Sequence, residues 1–237
     1  NAMRVQHSDT TSSGFSAVLT ALETKNSIAA RGKKVTCSVY LKKGSAFEGE
    51  LHISIRARTD AEGITVTGTY SNIGLSGNII SSVSTSSWTR ITLTSSAVVP
   101  AGTLALGVDI NHTGTNTSDA NNYFEFSKAQ LEIGETATDF EHRHYGEELV
   151  LCSRYYCNSF LERTTHWPGA STNVGDAIHL VSWGDGNCAG FPFQVPMRAA
   201  PTIVLRAQAS NTAGQVNSHG TNRTAAAQNI GSKQVGY

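Results

Sequence analysis

The sequence predicts an all-β protein: a sandwich of antiparallel strands, a short polar connector, and a smaller β-rich unit behind it. Three observations carry that expectation. Apolar and polar residues alternate at a period of two in several separate runs, the pattern of a sheet packed on one face and wet on the other. Turns rich in Gly, Ser and Asn divide the runs, as they do in sandwiches. Ser and Asn compete with helical hydrogen bonds, Thr is stiff at χ1 and suits strands, and all three are abundant here while Lys and Glu are sparse. With 39% apolar residues in alternating runs, disorder is excluded.

Taken in order, Asn1-Ala2 ahead of Met3 resembles the remnant of a cleaved expression tag. Residues 15–24, FSAVLTALET, suit a short helix by propensity. In the next run Val35, Cys37, Val39 and Leu41 point one way, and Thr36, Ser38 and Tyr40 the other. Leu51, Ile53, Ile55 and Ala57 then alternate with His52, Ser54, Arg56 and Arg58. Trp88, in the run SSWTRITLT at 86–94, reads as a core or sheet-edge anchor. Leu104, Leu106, Val108 and Ile110 alternate with Ala105, Gly107, Asp109 and Asn111. From Tyr123 to Ile133 the phase changes, and one extra residue near Ser127–Lys128 would keep Phe124, Phe126, Ala129, Leu131 and Ile133 on one face. Residues 134–148 read as a polar linker. Beyond it, Leu149–Phe160 is apolar and aromatic, and 178–183 and 202–207 read as strands. The prolines of Phe191–Pro201 confine that stretch to an edge or turn. After Ala209 apolar residues thin out, and no closing strand is expected.

Composition narrows the function classes. At 237 residues the chain suits one large domain or two modest ones. Net charge is zero and charged residues are 15%, so no basic stripe exists to neutralise phosphates, and nucleic-acid binding is not expected. No apolar run approaches the roughly 20 residues of a membrane span, and no signal peptide is read. Cys37, Cys152, Cys157 and Cys188 lack zinc-site spacing and are expected as free thiols in a cytoplasmic assembly. The sequons at Asn111, Asn116 and Asn222 then carry no glycan.

Catalysis finds no frame. No Gly-x-Ser-x-Gly elbow or Gly-rich phosphate loop occurs. Glu147 and Glu148 are adjacent, whereas a glycosidase needs two carboxyls facing each other at about 5–9.5 Å. Sugar binding asks for less: an aromatic ring for the apolar face of the sugar and a few polar side chains for its hydroxyls. The polar strand faces offer Tyr40, His52, Arg56, Arg58, Asp109 and Asn111, with Tyr70 and Tyr123 at the flanks. The same residues also fit a solvated sheet surface with no ligand. The stretch Asn111–Asn122, NHTGTNTSDANN, reads as a long polar loop of the kind that carries ligands on sandwiches. There Asp109, Asp119, Asn121 and Asn122 offer oxygens to a calcium ion without matching an EF-hand. No other cofactor and no catalytic residue is expected.

One stretch carries a resemblance. Gln130-Leu131-Glu132-x-Gly134, Ala137-Thr138-x-Phe140-Glu141-x-Arg143, Gly146-Glu147-Glu148-Leu149 and Leu151-Cys152-x-Arg154-Tyr155-Tyr156 follow one another in one order. The stretch resembles the seam of many bacteriophage and prophage tail proteins, where a jelly roll of carbohydrate-binding type passes into a further unit. The runs at 32–42, 86–94 and 123–134 look like that jelly roll, and Phe191–Pro201 is similar to an element that follows the seam. The resemblance implies a jelly roll over 4–143, including a strand rather than a helix at 15–24, and a β-rich tail-protein domain over 149–237. It implies a shortened N-terminal strand and a chain cut from a longer one. It further implies a non-enzymatic fibre component in the virion tail, assembled in the host cytoplasm. Such a component would be a homotrimer, touching other tail proteins and binding bacterial surface polysaccharide. The alternatives are a structural spacer with no ligand and a tail-borne glycan depolymerase.

Overall fold

The alternating runs pair into two four-stranded antiparallel sheets in a computed structural model of the chain. The strands are β1 Met3–Gln6, β2 Gly14–Leu22, β3 Val35–Lys43, β4 Glu50–Arg58, β5 Ser71–Leu75, β6 Thr89–Thr94, β7 Ala105–Gly114 and β8 Tyr123–Ile133. One sheet has the order β1-β8-β3-β6 and the other β2-β7-β4-β5; they are called here the β3 sheet and the β4 sheet. β1 pairs with β8, β2 with β7, β3 with β6 and β4 with β5, all antiparallel. The chain is therefore one long antiparallel ribbon rolled around its own core, which is the winding of a jelly roll. The structure describes residues 2–6, 14–63, 69–114, 119–157, 191–193, 195–204, 213–218, 221–224 and 234–235. They divide into two compact units, Asn1–Glu141 and His142–Tyr237.

The core is where the period-two pattern places it. Val35, Cys37, Val39 and Leu41 of β3 and Leu51, Ile53, Ile55 and Ala57 of β4 all lie buried in one cluster with Leu106, Val108, Ile110 and Phe124. Each large aliphatic side chain buried this way contributes about 1.5–3 kcal/mol. Consecutive strands other than β4 and β5 cross between sheets, and the turn from β3 to β4 needs glycines. A Cβ on Gly44 would overlap the Asn121 carbonyl, and Gly49 sits at φ 99°, a conformation glycine adopts without strain.

The β8 bulge is present. Ser38 faces Gln130 and Tyr40 faces Ser127, so Lys128 and Ala129 together oppose Val39, and Lys128 takes φ 51°. The bulge lets Phe124, Phe126 and Leu131 reach the core, while Ala129 stays exposed and Ile133 is half exposed.

Residues 134–141, read from sequence as linker, belong to the first unit and strap the outer face of the β3 sheet. Gln130 and Glu132 point outward on β8 beside Ser38 and Thr36. The Gln130 amide oxygen accepts from the Glu141 backbone N–H at 2.8 Å. The Glu132 carboxylate accepts from the Thr138 N–H at 3.1 Å and from its hydroxyl, and these bonds hold it below the usual carboxylate range, the Thr138 hydroxyl foremost. Thr36 Oγ1 donates to the Gly134 carbonyl at 2.8 Å, and Arg90 donates to the Thr138 carbonyl. Under this strap Thr36 and Ser38 are buried although they face away from the core. Much of the Gln-Leu-Glu-x-Gly…Ala-Thr-x-Phe-Glu pattern is thus a fastening.

The second unit departs from expectation. Tyr145–Ser153 is a helix, α2 after the single turn α1 at Thr24–Ser27, where the alternation rules give no strand; Glu147 and Glu148 in its first turn suit the positive end of the helix dipole. The stretch 202–204 is not strand, and 178–183 lies outside the described residues. Past Ala209, where no closing strand was expected, Gln215–Ser218 (β10) pairs with Thr221–Thr224 (β11), and Gln234–Val235 (β12) pairs with Phe191–Pro192 (β9). The backbone of these polar segments is paired without a strong apolar alternation to announce it. No helix among the described residues is long and apolar enough to cross a membrane.

Candidate functional site

The expected binding residues are divided between two outer faces, because β3 and β4 belong to different sheets. Reading His52, Arg56 and Arg58 as neighbours of Tyr40 assumed that consecutive strands pair, which the jelly-roll crossover prevents. Tyr40 and Tyr123 lie on the β3 sheet, and Tyr123 stacks under Arg4, 3.8 Å from guanidinium carbon to ring centroid. His52, Arg56, Arg58, Asp109, Asn111 and Tyr70 belong to the β4-sheet side.

On that side the centre is Asp109. Ser54 faces it across the β4–β7 register, and His52 faces Asn111. One carboxylate oxygen, Oδ2, accepts from Ser54 Oγ at 3.1 Å, from Asn111 Nδ2 at 3.0 Å and from the Arg56 guanidinium. Asp109 is fully buried and Arg56 is 5% exposed. The Arg56 guanidinium carbon lies 4.1 Å from the Tyr70 ring centroid, a contact worth about 0.5–2 kcal/mol depending on desolvation. Asp109 Oδ1 and Arg56 Nη1 are buried with no hydrogen-bond partner. The polar parity of β4 and β7 predicted that these side chains leave the core; their burial as an ion pair was not legible, nor was the role of Ser54.

The other residues sit around this pair. His52 is half-buried, its Nε2 3.2 Å from Glu50 and its Nδ1 3.4 Å from the Ser76 carbonyl. Arg58, at the end of β4, is taken up by Asp60 at 2.7 Å, and that bond holds the Asp60 carboxyl below its usual range. Asn111 lies within β7, so the expected loop at 111–122 begins later than the sequence implied. Among the described residues no three His, Cys, Asp or Glu side chains gather to hold a metal ion, and Asp109, one of the proposed calcium ligands, already has its charge matched by Arg56.

On the β3 sheet, Trp88 is 41% exposed; it precedes β6 at the sheet edge and is not part of the core. With Tyr40, Ser127, Lys128 and Ala2 it lines a pocket of about 390 Å³.

No protein-family model matches the chain, and no curated protein matches it. Among the solved structures that overlap in part are two xylan-related proteins. One is the CBM22-1 xylan-binding domain from Paenibacillus barcinonensis Xyn10C, at 12% identity over 49% of this chain and 65% of that one, with a TM-score of 0.28. The other comprises the CBM22-1–GH10 modules of the Clostridium thermocellum xylanase Xyn10B complexed with xylohexaose, at 13% identity over 65% of this chain and 32% of that one, with a TM-score of 0.31. The chain spans less than two thirds of either. The sandwich assignment stands on the strand order.

Proposed function

We propose that the first unit binds a polysaccharide of the bacterial surface on the outer face of its β4 sheet, and that the chain is a non-enzymatic component of a phage or prophage tail serving host attachment. The observation that carries this reading is the Asp109 cluster. A buried ion pair is costly to desolvate, and this one keeps one oxygen and one nitrogen unpaired. Sealed beneath the face, the pair does not meet the sugar itself; it fixes Asn111 and Tyr70, the groups offered to a ligand. Asn111 commits one N–H to Asp109, which fixes its amide and leaves its oxygen and second N–H for a ligand. Arg56 holds Tyr70 by one ring face, leaving the ring to support a sugar's C–H surface.

Contacts of this kind are individually weak, so attachment rests on several copies, which raise avidity by roughly 10²–10⁴. Exposed Tyr145 and Val150 of α2 and the nearby Tyr156 support a homotrimeric or other subunit contact, since aromatic residues are enriched at interfaces. The seam at 130–156 supports the tail assignment and contacts with other tail proteins.

A spacer with no ligand is the second reading, favoured by the complete burial of Asp109. A glycan array probed with the intact protein separates them: attachment predicts hits that Asn111→Ala abolishes, and an empty array on a correctly assembled sample favours the spacer. Turnover of capsule or lipopolysaccharide would establish a depolymerase instead.

A further inference from the structure

We propose a second saccharide site on the opposite face of the sandwich, formed by Tyr40, Trp88 and Lys128 and selective for an acidic sugar. It rests on the saccharide reading but uses none of the Asp109 residues. Tyr40 on β3 faces Arg90 on β6 and Ser127 on β8. The row Arg90–Tyr40–Ser127 crosses the sheet, and Trp88, two residues before Arg90, stands diagonal to Tyr40. The strap is fastened at the Thr36–Ser38 end through Gly134 and Thr138. At the Tyr40 end the sheet keeps a pocket of about 390 Å³, within the size range of small-molecule sites.

The cation is placed there by the bulge. In a regular strand Lys128 would follow outward Ser127 by pointing into the core. The extra residue turns it out, at φ 51°, a left-handed conformation that costs a non-glycine residue about 1–2 kcal/mol. Bulges re-aim side chains next to functional sites. Lys128 Nζ comes to 5.5 Å from the Tyr40 ring centroid. Among the described residues no carboxylate pairs with it, and none lines the pocket. Two aromatic rings for the C–H face of a pyranose and one unmatched ammonium for a carboxylate define a sugar acid, such as a uronic acid within a polysaccharide.

The test is titration of the intact protein with short oligogalacturonates and with their methyl esters, which keep the rings and lose the charge. The acid is expected to bind about tenfold more tightly than the ester, in line with a charged hydrogen bond, and added salt is expected to erase the difference. Lys128→Met should remove the acid preference and spare ester binding. Trp88→Ala, at an exposed position, should weaken both. Asn111→Ala should change neither. Equal affinity for acid and ester, or acid binding unchanged by Lys128→Met and Trp88→Ala, would overturn the site. Acid binding lost in Asn111→Ala would assign the sugar acid to the β4 sheet instead, while an empty glycan array with intact oligogalacturonate binding would count against the general reading alone.

Discussion

Arg56 and Asp109 face outward from the β4 sheet yet are sealed from solvent together, the guanidinium pinned between the carboxylate and the Tyr70 ring. Removing one partner leaves the other as a buried, uncompensated charge. Asp109→Ala is therefore expected to destabilise the first unit by about 3–5 kcal/mol, and the double substitution Arg56→Met with Asp109→Leu to recover most of that loss. Urea denaturation of the three proteins measures it. A loss below 1 kcal/mol for Asp109→Ala, on the scale of surface pairs, would mean that solvent reaches the pair.

The strap predicts a pH dependence. Glu132 is held below its ordinary value near 4.5, chiefly by the Thr138 hydroxyl. A depressed carboxyl lends stability above its unfolded value and loses it as the pH falls through the folded one. Protection of the amides across 135–141, taken as exchange relative to the intrinsic rate at each pH, should therefore be high at neutral pH and fall as the solution is acidified below about 4.5. Glu132→Gln should show low protection at neutral pH with little further change in acid. Protection in the native chain that ignores acidification would argue against the Glu132–Thr138 bond.

Thiol chemistry reports the core. Burial pushes the Cys37 thiol up to about 12, so it stays protonated and enclosed. Cys152 is exposed, and Cys157 is half-buried with its thiol also raised by burial. Iodoacetamide at mildly alkaline pH should label Cys152 first and spare Cys37 until denaturant is added. Early labelling of Cys37 in the native protein would contradict the packing of β3.

The exposed side chains of α2 give a prediction about assembly. If Val150 and Tyr156 lie in a subunit contact, Val150→Asp combined with Tyr156→Asp should lower the mass measured by light scattering toward 25.2 kDa. An unchanged mass for the doubly substituted chain would place the contact elsewhere, and a native chain already at that mass would refute the trimer.

The fold was legible wherever one face of a strand is apolar and the other polar. β3, β4, β7 and β8 announce themselves in that way, and so does the bulge, because a parity change in an otherwise continuous run needs one extra residue; the run of β6 was placed by resemblance alone. β5, whose two buried residues are the neighbours Ile73 and Gly74, gives no alternation, and α2 follows helical rather than strand rules. For the site, parity identified which residues leave the core but not which sheet they join. Pairing between β4 and β7 is a long-range fact, and local sequence does not carry it. Trp88 was read as a core or sheet-edge anchor; it stands at the sheet edge, 41% exposed, and local sequence did not decide between the two.

Saccharide recognition through the β4 sheet is tested most directly by calorimetric titration of one neutral array hit into three proteins: the native chain, Tyr70→Ala and Trp88→Ala. The native chain should bind with micromolar to millimolar affinity, Tyr70→Ala about tenfold more weakly or not at all, and Trp88→Ala with native affinity. Native affinity in Tyr70→Ala would contradict it.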